Sequence, residues 1–246
     1  VFAPDDLAIV TSAPALRRRF LDHVMVARRP KLDARRSEVD YILRQRNALL
    51  KQPRGRFSDD VAMTLAVWND KLAASGEELA GERRALLAAI GPLVQRLYGE
   101  VSGFEHQVDL TYRSTWEQGD LAAALAAVRD DELRRGVTLV GPHRDDLDVQ
   151  LNGLPGRTHA SQGEQRSLAL ALKLGGHLAV TDAIGHAPVL LLDDVFSELD
   201  HTRADALVHH LPVGQVVLTT AGDVPASVEI EQTLYASGHG LDRADG

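Results

Sequence analysis

Cysteine is absent from the 246 residues, which rules out disulfides and thiolate metal sites and agrees with a reducing compartment. Aromatic residues make up only 4%, so the core must be built from aliphatic side chains, and the Leu/Ala-rich balance favours helices. No apolar run approaches the roughly 18 residues of a membrane span, and the chain reads as soluble and cytoplasmic. No Gly-Lys pair occurs, and therefore no G-x-x-x-x-G-K-[ST] loop to cradle phosphates. The opening Val1-Phe2-Ala3-Pro4 is neither a signal peptide nor a start, and is expected to be an internal point of a longer chain.

What is present begins with 44% hydrophobic residues, enough for one large core or two modest ones. The net charge of −8 argues against a polyanion partner, yet it is unevenly spread. Between Arg17 and Arg56 lie 13 Lys/Arg and four acids, a local +9 that leaves −17 elsewhere. That asymmetry points to a polyanion-binding lobe on an acidic body. Its candidate DNA contacts are Arg17, Arg18, Arg19, Arg28, Arg29, Lys31, Arg35, Arg36, Arg44 and Arg46. For any single Arg the alternative is a solvated helix face.

Residues 1–15 hold either a short strand or a helical turn. From residue 16 to 131 apolar residues recur at three- and four-residue spacing, as in Val39, Ile42 and Leu43, which predicts long helices, punctuated at Gln52-Pro53-Arg54-Gly55. Val108 to Tyr112 alternates as a strand does. From 132 to 236 the texture becomes α/β, with short strands expected at Val137 to Val140, Leu147 to Leu151, Val189 to Leu192 and Val216 to Leu218. The last two of these segments, Val189 to Leu192 and Val216 to Leu218, are almost wholly apolar and read as central parallel strands. A long helix is expected from Gln162 to before Gly185, and residues 237–246 read as a frayed tail.

Three motifs carry chemistry. The strand Val189 to Leu192 delivers Asp193 and Asp194 at its C-terminal end, where ligands gather in open α/β sheets. Successive strand residues face opposite ways, so one carboxylate suits Mg²⁺ and the other a water aimed at phosphate. Upstream, Ser161-Gln162-Gly163-Glu164-Gln165 offers a hydroxyl, a glycine and free amides at a helix start. This is an anion seat or an ordinary capping box. Downstream comes Ser197-Glu198-Leu199-Asp200, which alone reads as a helix cap.

The order of these three segments resembles the signature motif, Walker B and D-loop of ABC-type ATPases. Within that superfamily the chain resembles the RecF family of bacterial recombination and gap-repair proteins. Further support comes from Phe2 to Leu7, Arg17 to Asp22, Gln45 to Lys51 and Gly141 to Leu147. The resemblance implies an incomplete ABC-type α/β head with an inserted, mostly helical lobe over residues 16–131. It also implies ATP and Mg²⁺ as cofactors, an ATP-dependent homodimer with slow hydrolysis, and action in replication, repair and the SOS response. The implied partners are DNA, single-stranded or at a single/double-strand junction, together with RecO and RecR, and no membrane.

By the same resemblance, Asp193 holds Mg²⁺ and Asp194 is the catalytic base, where many relatives carry Glu. Ser161, Gln162, Gly163, Glu164 and Gln165 meet the γ-phosphate of a nucleotide held by a second subunit. Ser197, Glu198, Leu199 and Asp200 cross the dimer interface. Two features depart from the pattern. Thr219-Thr220 stand where a His is common, so γ-phosphate sensing falls to a hydroxyl. The phosphate loop is expected upstream of this chain, which by itself is expected to bind ATP poorly and hydrolyse none. Alternatives are a non-catalytic DNA-binding scaffold and another ABC-type ATPase. A Rad50-like or chromosome-maintenance protein would need far longer arms, and a transporter ATPase would lack the Arg-rich lobe. Gly141 to Leu147 reads as a turn in which His143 and Arg144 pair with Asp145 and Asp146, and no chemistry is assigned to it.

Overall fold

A computed structural model describes residues 1–52, 58–237 and 240–243; the turn at Pro53 to Gly55, with Arg54 and Arg56 of the basic run, lies outside the described residues. The N-terminal segment is helical, a 3₁₀ turn at Pro4–Leu7 running into α1 (Ala8–Thr11). Pro14 opens α2 (Pro14–Arg28) at the first helical position, where its missing N–H costs nothing. The apolar spacing then gives α3 (Leu32–Leu50) and the 44-residue α4 (Asp59–Ser102). Ser58 caps α4 by accepting from the Val61 amide, and Gly103, at φ 73°, ends it in the left-handed conformation that glycine adopts without penalty. Arg46 meets Asn69, and Arg35 meets Glu78, so α3 runs antiparallel to α4.

Strand β1 (Val108–Arg113) is followed by α5 (Leu121–Ala127) and α6 (Arg129–Arg135). It pairs antiparallel with β2 (Asp146–Leu151), from Val108 opposite Leu151 to Arg113 opposite Asp146. Asn152 and Gly153, both at positive φ, turn β2 back into β3 (Leu154–Pro155), the hairpin chemistry expected of an Asn-Gly pair. The expected strand at Val137 to Val140 does not form. Its polar backbone is spent on side chains instead: the Thr138 amide donates to Asn47 and the Leu139 amide to Glu132, while the Thr138 carbonyl accepts from Arg144.

Helix α7 (Gly156–His159) leads into α8 (Gln162–Ile184), the predicted Ala/Leu helix, closed by Gly185 at φ 79°. By length and composition alone α8 is apolar enough to cross a membrane, contrary to the sequence expectation, but its Leu168, Leu172 and Leu174 are buried. A Cβ on Gly175 would lie 2.8 Å from Val94 of α4, and one on Gly176 2.9 Å from Val24 of α2. The two glycines thus let three helices approach closely. One buried core runs without interruption from α4 (Leu86, Ile90, Val94) through α8 to Leu190 and Leu192.

Strand β4 (Leu190–Asp193) pairs parallel with β5 (Val216–Thr219), and α9 (His201–His209) connects them. Phe2 forms a parallel bridge to Leu192 on the other side of β4. The two strands are not buried on both faces as their composition suggested. Leu190 and Leu192 point into the core, whereas Val189, Leu191 and Val217 are exposed, because no described element packs on their side. Of the segment expected to fray, Ser237 and residues 240–243 belong to a two-stranded ladder, β6 (Leu234–Ser237) with β7 (Gly240–Arg243), and residues 238–239 and 244–246 lie outside the described residues.

Candidate functional site

The end of β4 gathers four of the predicted residues. Asp193 is exposed, and its Oδ1 accepts from the Thr219 hydroxyl at 2.5 Å. Its amide donates to the Phe2 carbonyl, which anchors the strand end from the N-terminal side. Asp194 lies just beyond the strand at φ 47°, so its separation from Asp193 comes from a left-handed residue and not from strand alternation. The Asp194 amide donates to the Thr219 carbonyl at 2.9 Å. Ser197 in the following 3₁₀ turn (Val195–Glu198) donates to the Asp194 carbonyl at 2.8 Å and lies 3.0 Å from its Oδ2. The Asp194 Oδ1 is buried without a partner, an uncommitted acceptor beside an exposed carboxylate.

Thr220, the second hydroxyl expected here, turns away and closes a short turn with Gly222. Leu199 donates its amide to the Phe196 carbonyl, and Asp200 caps α9 by accepting from the Arg203 amide at 2.9 Å. The Glu198 side chain lies outside the described residues.

At the start of α8 the capping box is formed. The Glu164 carboxylate accepts from both the amide and the hydroxyl of Ser161, each at 2.7 Å, and these bonds hold its pKa below the ordinary carboxylate value. Its capping contribution is therefore present above the ordinary carboxylate range and lost on acidification below it. Gln165 donates to the carbonyls of Gly156 and Arg157, fixing the preceding turn, while Gln162 is exposed. The capping box and the anion seat are compatible, because a capping side chain satisfies only some of the first-turn amides. No hydrogen bond or ion pair among the described residues joins this turn directly to Asp193 or Asp194.

The basic run divides sharply. Arg17 and Arg46 are corrections to the expected DNA contacts. Arg17 is buried and forms a two-pronged pair with Asp146 at 2.7 and 2.9 Å. Arg46 is 0% exposed, 2.5 Å from a Glu132 that is equally buried, and also donates to Asn69 and Thr138. Neither can reach a phosphate. Arg18 donates to the Asp145 carbonyl, and Arg29, Arg35 and Arg36 are paired with Glu82, with Glu38 and Glu78, and with Asp33 and Asp40 respectively. Arg28 is half-buried, and its Nε has no partner. Arg19, Lys31 and Arg44 are exposed. One turn before Arg44, the exposed Tyr41 packs edge-on against Trp68, with Lys71 over the Trp68 ring. Sequence reasoning missed this aromatic and cationic patch, since a Tyr and a Trp on separate helices give no local signal.

The Gly141 to Leu147 turn is a structural hub, but not by the pairing expected within it. His143 and Arg144 both reach the Thr138 carbonyl. Asp145 accepts from Tyr112 and Trp116, Asp146 holds Arg17, and the Pro142 carbonyl accepts from Arg83, itself paired with Asp22. Burial pushes the His143 pKa from 6.5 down to about 4. Because the folded value is the lower one, the unfolded chain takes up the proton first, so stability is full above pH 6.5 and falls as pH drops towards 4. Urea unfolding across that window should show this decline, and His143→Gln should flatten part of it; an unaltered pH profile would mean that the ring is solvated.

No family model matches the chain. Among curated proteins, the DNA replication and repair protein RecF of Leifsonia xyli subsp. xyli is 42% identical over 255 residues, covering 93% of this chain and 66% of its own length. The protein of the same name from Acidothermus cellulolyticus is 41% identical, with 92% and 64% covered, and that from Frankia alni is 41% identical, with 98% and 69% covered. The chain thus spans about two thirds of the length of these relatives. Two solved structures of the recombination mediator protein RecF in the RecFOR pathway, described as RecF-ATP and RecF-ATPrS, superpose over 99% of the chain. Their TM-scores are 0.86 and 0.85 at 27% and 26% identity, and the match covers 66% and 67% of those chains. The fold is accordingly that of an ABC-type ATPase head with a largely helical lobe, and the chain belongs to the RecF family.

Proposed function

We propose that the full-length protein is an ATP-dependent DNA-binding ATPase of recombinational gap repair, replication and the SOS response. The observation that carries this reading is the pair of carboxylates at the end of β4, one exposed and fastened to Thr219, the other with an unpaired buried oxygen. Mg²⁺ is usually held by one or two carboxylates together with substrate phosphates, and Asp193 fits that donor set. Asp194 Oδ1 takes the proton of the attacking water, with Ser197 steadying the other carboxylate oxygen. Thr219, on the Asp193 carboxylate, is the hydroxyl placed to respond to the γ-phosphate, and Thr220 is not.

The α8 start, from Ser161 to Gln165, and the D-loop, from Ser197 to Asp200, serve the nucleotide of a second subunit, so hydrolysis requires an ATP-dependent homodimer. Residues 1–15 and 132–236 are the head in this scheme, residues 16–131 the DNA-facing lobe, and 237–246 a tail. RecO and RecR are the proposed partners, in the cytoplasm. A non-catalytic scaffold is the competing reading, and the free acceptor on Asp194 favours the enzyme.

The DNA surface is Arg19, Arg28, Lys31 and Arg44 with Tyr41 and Trp68, not the whole basic run. Cations supply phosphate contacts and exposed rings stack on unpaired bases. With ATP present, a single-stranded oligonucleotide should quench Trp68 emission and leave Trp116, only 5% exposed, unaffected. Lys31→Glu with Arg44→Glu should weaken binding and lower the salt slope by about one per lost contact. Affinity and slope equal to the parent protein's would place DNA on another face.

A further inference from the structure

Arg203 stands in the first turn of α9, three residues after Asp200. An Arg at this spacing from an acid is usually a surface pair, as with Arg36 and Arg134, whose side chains are 38% and 61% exposed beside Asp33 and Asp131. Arg203 is only 22% exposed. Its Nη1 donates to Asp200 Oδ2 at 2.6 Å, while the same carboxylate accepts from the Arg203 amide through Oδ1. Together the backbone amide and the guanidinium hold the Asp200 carboxyl below its ordinary pKa, so the pair is charged at neutral pH.

The face of the guanidinium is covered by a glycine on a different element. A Cβ built on Gly163 would meet Arg203 Nη1 at 2.9 Å, and Cζ and Nη2 at 3.1 Å. No side chain fits at residue 163 unless Arg203 moves. Its Nε is buried without a partner, so an ordinary surface ion pair does not account for the arrangement, which leaves a donor unsatisfied. The contact joins the signature turn, which has no direct bond to the paired carboxylates, to the segment whose Ser197 bonds Asp194, and both are proposed to face the nucleotide of the second subunit.

We propose that Arg203 is a positioning residue of the ATPase, clamping the Asp200 end of the D-loop to the signature turn at Gly163 within one subunit. The inference rests on the proposed function, because it matters only if both segments act on a nucleotide in trans. Arg203 does not touch the phosphates. It fixes the spacing between the Gly163 amide and the Ser197 to Asp200 turn, so that both arrive together when two subunits close. A planar guanidinium can lie flat on a glycine while one edge holds a carboxylate; a Lys ammonium keeps the charge but not the flat layer. Gly163 therefore serves twice, offering its amide and seating the arginine, whose guanidinium a larger side chain there would displace.

The test uses the full-length protein and measures ATP turnover, ATP binding and thermal unfolding together. Arg203→Ala should lower kcat by about tenfold or more while KM for ATP stays within about twofold, since misplacement far from the chemistry costs rate more than binding. Arg203→Lys should recover part of the rate with an unfolding temperature equal to the parent protein's, which keeps the test decisive if Arg203→Ala folds poorly. Gly163→Ala should cost less in the Arg203→Ala background than in the parent, a non-additivity diagnostic of direct contact. Parent-like kcat in both Arg203 variants, or a Gly163→Ala effect equal in both backgrounds, overturns the clamp. Ser161→Arg, run in parallel, separates the two levels of the argument. Lost turnover there with intact turnover in Arg203→Ala removes the clamp alone, whereas intact turnover in both removes the signature reading beneath it.

Discussion

Replacing Asp194 with Asn in the full-length protein should lower ATP turnover by about 10² to 10⁴ while leaving nucleotide binding intact, the usual cost of removing a positioned base. The substitution is nearly isosteric. Asn keeps an oxygen to accept from Ser197, which lies 3.0 Å from Oδ2 and also donates to the residue's carbonyl. What it removes is the basicity of Oδ1, the atom left without a partner. The left-handed backbone at φ 47° is one that Asn tolerates as well as Asp, so the local turn should survive. Fluorescent-nucleotide titration and phosphate release, measured side by side, separate binding from chemistry. Turnover equal to the parent's would show that another group activates the water and would remove the base assignment from Asp194, whereas no turnover in the parent protein itself would put the scaffold reading first.

The largest stability effect is expected at Arg46. Its side chain and that of Glu132 are both 0% exposed, joined at 2.5 Å. Removing one partner of a buried pair strands the other charge, at a cost of about 3 to 5 kcal/mol. Arg46→Ala should therefore shift the thermal midpoint down by on the order of 10 °C, given about 2 to 4 °C per kcal/mol in a chain of this size. The penalty is not confined to the pair. Arg46 also satisfies Asn69 and Thr138, and Glu132 accepts from the Leu139 amide, so the loop that replaced the expected strand at Val137 to Val140 depends on the same network. Glu132→Gln, which keeps the volume and one of the two acceptor oxygens but discards the charge, should cost less than Glu132→Ala. A loss below about 1 kcal/mol for Arg46→Ala would mean that water reaches the pair, as it does in surface salt bridges.

Much of the candidate site was legible because its signals are local. Ser161 and Glu164 cap α8 through atoms three residues apart, and the Asp193-Asp194 pair follows directly from an apolar strand that must stop where it becomes charged. The parallel pairing of Leu190 with Val216 likewise follows from two short apolar runs with a helix between them. The failures share an opposite property. Val137 to Val140 has the composition of a strand, but side chains from α3 and α6 took its backbone partners. Leu191 and Val217 have the composition of a buried sheet, yet burial depends on what covers a face, and no described element covers theirs.

By itself the sequence determined the bounds of α8, the carboxylates at the end of a parallel strand, and the order of motifs that marks the family, because these depend on neighbours a few residues apart. Only the tertiary structure decided what each arginine does. Arg17 finds Asp146 across 129 positions and Arg46 finds Glu132 across 86, which takes both out of the proposed DNA surface. Arg203 comes to rest on Gly163, forty positions earlier, for the same reason. A guanidinium is equally at home on phosphate, on carboxylate or flat against a glycine, and its choice is fixed by which groups the fold brings within reach and which it shuts away from water.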